Sequence, residues 1–502
     1  MVSVQMGRGV RFTVQLYGQL VLLRLHIILY IWRNCFMSEK KIPSGFIYFF
    51  GAFGGILFGY DIGVMTGALP FLQSDWNLND AAVVGWITSS LMLGAIAGGA
   101  LAGQLSDKLG RRKMVLLSAV LFMIGSVLAG LSPHDAVGYL IGTRVLLGLA
   151  VGAASALVPA YMSEMAPAAL RGRLSGINQV MIVSGMLISY VMDFLLKGLP
   201  EHIAWRLMLS LAAVPALILF LGVLRLPESP RFLVKLGKID EARQVLSWIR
   251  KPEEVDDELT SIQEMAEVES EASKNTTWGS LLEGRYRKLV IAGIGVAAFQ
   301  QFQGANAIFY YIPLIVEKAT GQAASDALMW PIIQGIILVA GSLLFLVIAE
   351  KFNRRTLLMV GGTVMGLSFI FPALINSFMD AHPMMIVVFL CIYVAFYAVT
   401  WAPLTWVLVG ELFPLAIRGR GSGLASSFNW IGSFAVGLLF PIMTASMPQE
   451  AVFAIFGVIC LLGVAFIRFA VPETRGRSLE EIEVLGAGES PAEVSGKPVT
   501  NR

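Results

Sequence analysis

Long apolar stretches recur along almost the whole chain. Twelve of them come close to the roughly 20 residues that a helix needs to cross the hydrocarbon core of a membrane. They lie at approximately 45–70, 83–105, 113–131, 138–162, 174–195, 204–225, 289–316, 327–349, 356–378, 384–410, 421–444 and 450–471. The sequence therefore predicts an all-α membrane protein with twelve transmembrane helices.

The charge content supports this prediction and excludes other classes of protein. Only 14% of the 502 residues are charged, against roughly 25% in soluble proteins. The net charge is only +3 and the basic residues sit in short loops, so a nucleic-acid partner is excluded. The four histidines show no metal-ligand spacing. We therefore expect no metal and no cofactor.

Basic residues are concentrated in every second loop. By the positive-inside rule these loops face the cytoplasm. Both termini and the central loop then lie on the same side of the cell membrane. The basic loops contain Lys108, Arg111, Arg112, Lys113, Arg171, Arg173, Lys351, Arg354, Arg355, Arg418, Arg420, Arg475 and Arg477.

The basic loops also repeat between the two parts of the chain. The segment 164–173 has the same Glu, Pro, Arg-Gly-Arg spacing as 411–420. Pro-Glu-Ser at 227–229 likewise corresponds to Pro-Glu-Thr at 472–474. These duplications predict two pseudo-symmetric six-helix halves, the arrangement of transporters that hold substrate between the halves. The predicted divisions are 45–225, a cytoplasmic loop with short helices at 226–288, 289–471, and a cytoplasmic tail at 472–502.

The first 44 residues contain a shorter apolar run, Leu20–Trp32, which is interrupted by Arg24 and His26. A second methionine, Met37, precedes the first good span. Residues 1–44 are therefore interpreted as an N-terminal extension and cytoplasmic N-terminus in preference to a thirteenth span. A misassigned start, with the true start at Met37, is the alternative to an extension. No small-residue cleavage site follows the run, so a signal peptide is not expected.

An ionisable side chain inside a predicted span is costly, so each one is a functional candidate by default. Asp61 lies in span 1 and Arg144 in span 4. At about 1.5 Å per residue the two differ in depth by only about 5 Å. A carboxylate beside an arginine is stabilised as the anion, and it takes up a proton when the arginine moves away in a dry site. The pair is therefore a candidate proton switch, and a static brace between two helices is the alternative.

Uncharged polar side chains are concentrated in span 7. Gln300, Gln301, Asn306 and Tyr310 suit a neutral polyhydroxyl ligand, because amides both donate and accept hydrogen bonds. The alternative is hydrogen bonding between helices. Further side chains of this chemistry in other spans are Gln179, Trp401, Trp406, Asn429 and Trp430.

Charged residues of the repeated basic loops form a second candidate group. Carboxylates and arginines at helix ends form charge-assisted links. We expect such links to hold the two halves closed on the cytoplasmic side. The candidate cytoplasmic gate residues are Asp107, Arg111, Arg112, Glu164, Arg171, Glu350, Arg354, Arg355, Glu411 and Arg418.

Five motifs together resemble the sugar porter family of the major facilitator superfamily over residues 40–485. They are the segments 103–112, 159–164, 227–231, Gln300-Gln301 with Asn306, and 472–476. Within this family the chain is most similar to bacterial D-xylose–proton symporters. The resemblance implies the major facilitator fold and a proton-coupling role for Asp61 and Arg144. It also implies sugar contacts by Gln179, Gln300, Gln301, Asn306, Tyr310, Trp406 and Trp430.

Three positions of the expected sugar site depart from the family pattern, and outside that site Asn353 replaces the glycine of a Gly-Arg-Arg motif. Leu338, Ala402 and Asn429 stand where the family commonly has asparagine, glycine and glutamine. These changes bear on which sugar fits, and they favour a pentose over a hexose.

The expected function is a proton-coupled monosaccharide importer, most consistent with D-xylose, that works as a monomer by alternating access. A passive sugar uniporter and a non-transporting sugar sensor remain as alternatives. No enzymatic activity is expected, because no nucleophile–base pair or nucleotide-binding loop is apparent.

Overall fold

The computed structural model describes residues 43–476, apart from 167–170, 275–276, 322, 324–325, 379–383 and 415. The predicted extension before residue 43, with Met37, and the tail beyond residue 476 lie outside the described residues. Within the described residues every regular element is a helix, which confirms the predicted all-α class.

Twelve spans follow one another along the described chain. The first six are span 1 (Ser44–Ala52 and Gly54–Asp75), span 2 (Ala81–Leu109), span 3 (Arg111–Gly130), span 4 (Val137–Met165), span 5 (Arg171–Leu196) and span 6 (Glu201–Leu211 and Ala213–Val223). The others are span 7 (Gly284–Phe302 and Ala305–Thr320), span 8 (Met329–Ile348), span 9 (Arg354–Phe378), span 10 (Met384–Val399 and Trp401–Leu412), span 11 (Arg418–Ser446) and span 12 (Gln449–Ala470).

The length and composition of the spans suit a membrane. Among the described residues, eleven helical segments are long and apolar enough to cross one. Span 7 completes the twelve, since neither of its two helices reaches the required length and composition alone. Large apolar side chains face outward on the spans, for example Leu195 and Phe469 at 68% and 86% exposure. Such a surface is stable against lipid and not against water.

Span 7 is not the continuous helix that the sequence predicts over 289–316. Its first helix ends at Phe302 and its second begins at Ala305. Gly304 between them has φ 91°, a left-handed conformation that glycine adopts without steric cost. The prediction of one helix was wrong here, because a stretch of apolar residues does not reveal a single backbone reversal.

Span 10 is also divided where the sequence predicts one helix over 384–410. Thr400 has φ −122° and ψ −83°, which is not helical, and a new helix begins at Trp401. Pro403 lies in the first turn of this new helix, where its missing N–H breaks no helical hydrogen bond. The breaks in spans 7 and 10 lie side by side, because Gln300 Nε2 donates to Trp401 O at 3.2 Å.

Two faces of the molecule can be defined from the loops. We call the face that carries the loops 2–3, 4–5, 8–9 and 10–11 the arginine-rich face, and the opposite one the far face. Near the far face the two halves touch. Thr66 of span 1 donates to Phe309 O of span 7 at 2.6 Å, and the hydroxyls of Thr88 and Tyr311 are 2.5 Å apart.

Spans 2 and 11 separate toward the arginine-rich face. Near the far face, a Cβ on Gly85 would lie 2.6 Å from Leu438 O, so the two backbones almost touch. Ser89 and Gly437 are also in contact. Four turns further along the same two helix faces, a Cβ on Gly103 or on Gly423 would meet nothing within 4 Å. The structure is therefore closed at the far face and open between these spans at the arginine-rich face.

Short helices follow span 6 at Pro230–Lys235, Ile239–Ile249 and Val255–Lys274. Arg250, which is 9% exposed, attaches them to span 4. Its guanidinium donates to both carboxylate oxygens of Glu258, at 2.5 and 2.9 Å, and to Met165 O at 3.2 Å. The central loop is thus fastened to the end of span 4.

Replacing Arg250 is expected to loosen this attachment. Arg250→Ala leaves Glu258 and Met165 O without their donor, and loss of such charge-assisted bonds costs about 1–3 kcal/mol. We expect a lower apparent melting temperature for the detergent-solubilised protein. Lys251→Ala, at the neighbouring exposed position, is the matched control. Equal melting temperatures for the two variants would contradict this assignment.

Candidate functional site

The break in span 7 carries a network of amide side chains. Asn429 Nδ2 of span 11 donates to Gln300 Oε1 at 2.6 Å and to Ala297 O at 2.9 Å. Gln301 Nε2 donates to Asn429 Oδ1 at 3.3 Å. Asn306 Nδ2 donates to Gln301 Oε1 at 2.9 Å. Four of the predicted substrate-binding side chains therefore lie together, and all four belong to the C-terminal half.

Backbone carbonyls at the break in span 10 hold this network in place. Gln300 Nε2 donates to Trp401 O and to Ala402 O, at 3.2 and 3.0 Å. Both its amide hydrogens are thereby used, which leaves its oxygen facing Asn429. The amide of Gln300 is oriented before any ligand arrives, and preorganised groups bind with less loss of entropy.

Ser433 is a member of the network that the sequence analysis missed. Its hydroxyl accepts a hydrogen bond from Asn306 Nδ2. The spacing contained a signal, because Ser433 follows Asn429 by four residues and therefore lies on the same helical face. A serine in a membrane span is common enough that this spacing alone does not mark a site.

Tyr310 and Trp430 extend the site toward the N-terminal half. Tyr310 is fully buried, and Trp430 is 5% exposed. The Trp430 ring packs edge-on against Phe58 of span 1, with centroids 5.3 Å apart. Tyr310 Oη and Trp430 Nε1 make no hydrogen bond within the described part of the chain. Buried polar atoms usually have a partner, so these two atoms are available to a ligand hydroxyl.

The other side chains that the sequence suggested for ligand binding differ in how far they are buried. Gln179 of span 5 is half-buried. Trp406 is 41% exposed, so its side chain is only partly covered by the rest of the described chain. Trp401 is fully buried and its indole N–H donates to Leu358 O at 3.0 Å. Trp401 therefore packs span 10 against span 9, and a role as a ligand does not fit it.

Asp61 and Arg144 lie side by side in the N-terminal half. Arg144 Nη2 is 3.6 Å from Asp61 Oδ2, and both side chains are at most 1% exposed. The agreement in depth expected from the sequence is therefore present. The guanidinium nitrogens and Asp61 Oδ2 make no hydrogen bond within the described residues. The two side chains form a loose, fully buried ion pair.

Tyr310 connects the ion pair with the amide network. It interacts electrostatically with both Asp61 and Arg144. It follows Asn306 by four residues, so the two share one face of the second helix of span 7. A displacement of span 7 by a ligand would therefore act on the surroundings of Asp61.

The ion pairs at the arginine-rich face join helices of the same half. In the N-terminal half, Arg111 of span 3 is 3.2 Å from Glu164 of span 4 and 3.1 Å from Asp107 of span 2. In the C-terminal half, Arg354 is 3.5 Å from Glu411 and 3.6 Å from Glu350. The expectation that these links hold the two halves together is therefore wrong for this conformation. Each set binds the ends of three helices within one half.

Arg112 and Arg355 donate to backbone carbonyls and not to the carboxylates expected for gate arginines. Arg112 donates to Val223 O at 3.3 Å and to Leu224 O at 2.5 Å. Arg355 donates to Arg468 O at 2.5 Å. Both guanidiniums thus hold the last carbonyls of spans 6 and 12. Arg418 donates to Phe413 O at 3.3 Å, and the side chain of Arg171 lies outside the described residues.

Two glutamates that the sequence analysis did not assign cap helix starts. Glu228 Oε1 accepts from the backbone N–H of Arg112, at the start of span 3, at 3.1 Å. Glu473 accepts from the backbone N–H groups of Arg354 and Arg355, at the start of span 9, at 3.0 and 3.1 Å. A carboxylate at a helix N-terminus is favoured by the unsatisfied N–H groups and the helix dipole. The duplicated Pro-Glu-Ser and Pro-Glu-Thr motifs were the available signal.

Twelve spans around a central polar network define a secondary transporter of the major facilitator fold. Residues 47–485 match the family described as "Sugar (and other) transporter", and the chain belongs to this family. It is a sugar transporter and not an enzyme.

Relatives and a solved structure agree with this assignment. The chain is 41% identical to a D-xylose transporter of Levilactobacillus brevis, over 91% of this chain and 99% of the relative. It is 38% identical to the glucose transporter GlcP of Staphylococcus epidermidis, over 88% and 97%. The proton:xylose symporter XylE bound to 6-bromo-6-deoxy-D-glucose is 29% identical, with a TM-score of 0.74, and the match covers 88% of this chain and 98% of XylE.

Proposed function

We propose that this chain is a proton-coupled importer of a monosaccharide, that D-xylose is its substrate, and that it works as a monomer by alternating access. One observation carries the proposal: a buried, loosely paired carboxylate, Asp61, lies beside the tyrosine that continues the amide face of span 7. The D-xylose transporter and the xylose symporter among its relatives support the choice of sugar.

The orientation in the membrane follows from the basic loops. We assign the arginine-rich face to the cytoplasm of the cell, with both termini on that side. The two halves at 45–225 and 289–471 would then move against each other about the central site. The observed separation of spans 2 and 11 corresponds to the state that releases sugar inward.

The sugar would bind chiefly to the C-terminal half. Gln300, Gln301 and Asn429 offer amide groups, and a sugar hydroxyl can replace one of their mutual hydrogen bonds without leaving the remaining amides buried and unpaired. Tyr310 Oη and Trp430 Nε1 add two donors. No charged side chain belongs to this set, which suits a neutral ligand.

The proton would bind to Asp61. While the guanidinium of Arg144 lies close, the carboxylate is stabilised as an anion. When the halves move and the pair separates, Asp61 in its dry site is stable only after taking up a proton. Protonation from the outside and release to the inside would therefore drive sugar uptake.

The geometry of the ion pair disfavours a passive uniporter with a static brace. A bracing arginine–carboxylate pair typically makes two parallel hydrogen bonds. The separation here is 3.6 Å and makes no hydrogen bond from the guanidinium within the described residues. A pair that is poorly bonded at rest separates at a lower free-energy cost.

Replacing Asp61 tests proton coupling. Asp61→Asn keeps the shape of the side chain but cannot bind a proton as a carboxylate does. We expect proteoliposomes with this variant to lose proton-driven accumulation of labelled D-xylose. Exchange of internal for external sugar, which needs no net proton movement, should persist. Asp240→Asn, at an exposed position, is the control, and undiminished accumulation by Asp61→Asn would overturn the coupling.

Replacing Asn429 tests the sugar site. Asn429→Ala removes hydrogen bonds to Gln300, Gln301 and Ala297 O. We expect D-xylose affinity to fall by about tenfold or more, corresponding to about 1.4 kcal/mol. The measurement is the concentration dependence of labelled D-xylose exchange. Gln244→Ala, an exposed amide, should bind normally, and normal affinity in Asn429→Ala would exclude the network from sugar binding.

Competition experiments test the choice of D-xylose. Unlabelled D-xylose should inhibit uptake of the labelled sugar at lower concentrations than glucose, arabinose or galactose do. Stronger inhibition by glucose than by xylose would replace the proposed pentose with a hexose.

A further inference from the structure

A second acidic side chain, Asp193, is buried among the spans and has no part in the mechanism above. It lies on span 5, three residues before the helix ends at Leu196, and it is 1% exposed. Neither carboxylate oxygen makes a hydrogen bond to another side chain within the described residues. The lysine that follows the helix, Lys197, pairs with Asp326 at 3.6 Å instead. Asp193 is therefore a buried acid without a basic partner in the described structure.

The contact between spans 1 and 5 makes room for this carboxyl group. A Cβ on Gly67 would lie 2.4 Å from both Cγ and Oδ2 of Asp193, so only glycine fits there. Gly67 is six residues beyond Asp61 on span 1, which at about 1.5 Å per residue places it about 9 Å nearer the far face. Asp193 thus lies between the far face and Asp61.

Two tyrosines connect the two acids. Tyr190, one turn before Asp193 on span 5, interacts electrostatically with Asp193. Tyr310 interacts electrostatically with Tyr190 and with Asp61. Both phenols are at most 1% exposed. Two groups that can each give and accept a proton therefore interact with the two acids, while no hydrogen bond joins either phenol to the other phenol or to an acid within the described residues.

Other charged groups on the elements packed against span 5 are engaged elsewhere or lie on a different face. Tyr60 of span 1 faces Asp193, and span 8 carries no ionisable residue. The remaining groups pair as follows: Arg144 with Asp61, Glu164 with Arg111, Glu411 with Arg354, Glu201 with Ser74, and Asp75 with Arg206. The Arg206 guanidinium also donates to the backbone carbonyl of His202. None of these places a cation beside Asp193.

We propose that Asp193 is a second proton-binding site, and that it receives the proton from the far side and passes it to Asp61 through Tyr190 and Tyr310. This inference rests on the proposed proton coupling. A buried carboxylate without a cationic partner is much less stable than the neutral acid, so Asp193 holds a proton while the far face is closed.

The transfer is balanced. The O–H bond of the Asp193 carboxylic acid breaks, and an O–H bond forms on Asp61. Each phenol gives up one proton and gains another, so neither tyrosine changes. Asp193 is left as an anion. This anion is stable only when the far face opens and water reaches it. Asp193 then takes up a new proton from that water.

Asp193→Asn tests the proposal, because the amide matches the carboxyl in size but cannot relay a proton. We expect the initial rate of proton-driven D-xylose uptake to fall by about tenfold, equivalent to about 1.4 kcal/mol in the barrier. The decline of uptake with rising external pH should begin at lower pH than in the unmodified protein. Sugar exchange without net proton movement should be unchanged, since a relay affects only proton delivery.

Tyr190→Phe provides a second variant, which removes one hydroxyl from the same route and retains the ring. It should shift the pH profile in the same direction. Tyr397→Phe, which alters a buried tyrosine that stacks on Tyr393 in span 10, is its matched control and should leave the profile unchanged.

An infrared measurement separates this proposal from proton coupling itself. The detergent-solubilised protein at neutral pH should show a protonated carboxylic acid band that disappears in Asp193→Asn. An unaltered band, unchanged pH profiles in both variants, or a parallel fall in exchange and proton-driven uptake would overturn the second site. Persistent accumulation by Asp61→Asn would instead overturn the coupling, whatever the infrared band shows.

Discussion

The ion pair between Asp61 and Arg144 is the interaction on which the rest of this structure depends. Two opposite charges are buried, with exposures of at most 1%, and are held 3.6 Å apart. Desolvation of such a pair costs about as much as the attraction returns, and removing one partner is strongly unfavourable. The N-terminal half can therefore keep both charges paired, or neutralise Asp61 with a proton when they separate. In our proposal this restriction converts a helix movement into a proton-binding event.

The proposed sugar site follows a different rule, because it contains no charge. The amides of span 7 and Asn429 bond mainly to one another, to Ala297 O within span 7 and to carbonyls at the break in span 10. The two sites meet at the second helix of span 7. Thr66 of span 1 donates to Phe309 O, and Tyr310 lies near Asp61. A sugar that draws on the amide network and a proton that neutralises Asp61 would both act on this helix, which gives a physical basis for coupling.

The sequence was sufficient to predict the all-helical twelve-span architecture, because the hydrophobic requirement of a membrane is visible in any long apolar stretch. It also predicted that Asp61 and Arg144 lie at a similar depth in the membrane, since depth can be counted along a helix. It did not reveal the breaks at Gly304 and Thr400, which depend on the backbone of single residues.

The sequence also did not reveal which side chains bond to which partners. Arg112 binds carbonyls of the chain after span 6 and the caps of spans 3 and 9 come from distant glutamates, because partners far apart in sequence are chosen by packing. Asp193 was overlooked although it lies within a predicted span and the rule that singled out Asp61 applies equally to it. The charge of Asp193 was readable from the sequence, whereas its lack of a partner was not.

The most direct test of coupled transport is the external pH of proteoliposomes when D-xylose is added without an imposed proton gradient. Coupled entry should remove protons from the medium together with sugar, so the external pH should rise, and a proton ionophore should abolish the rise. Uptake of labelled D-xylose at an unchanged external pH would contradict the account and identify a passive carrier.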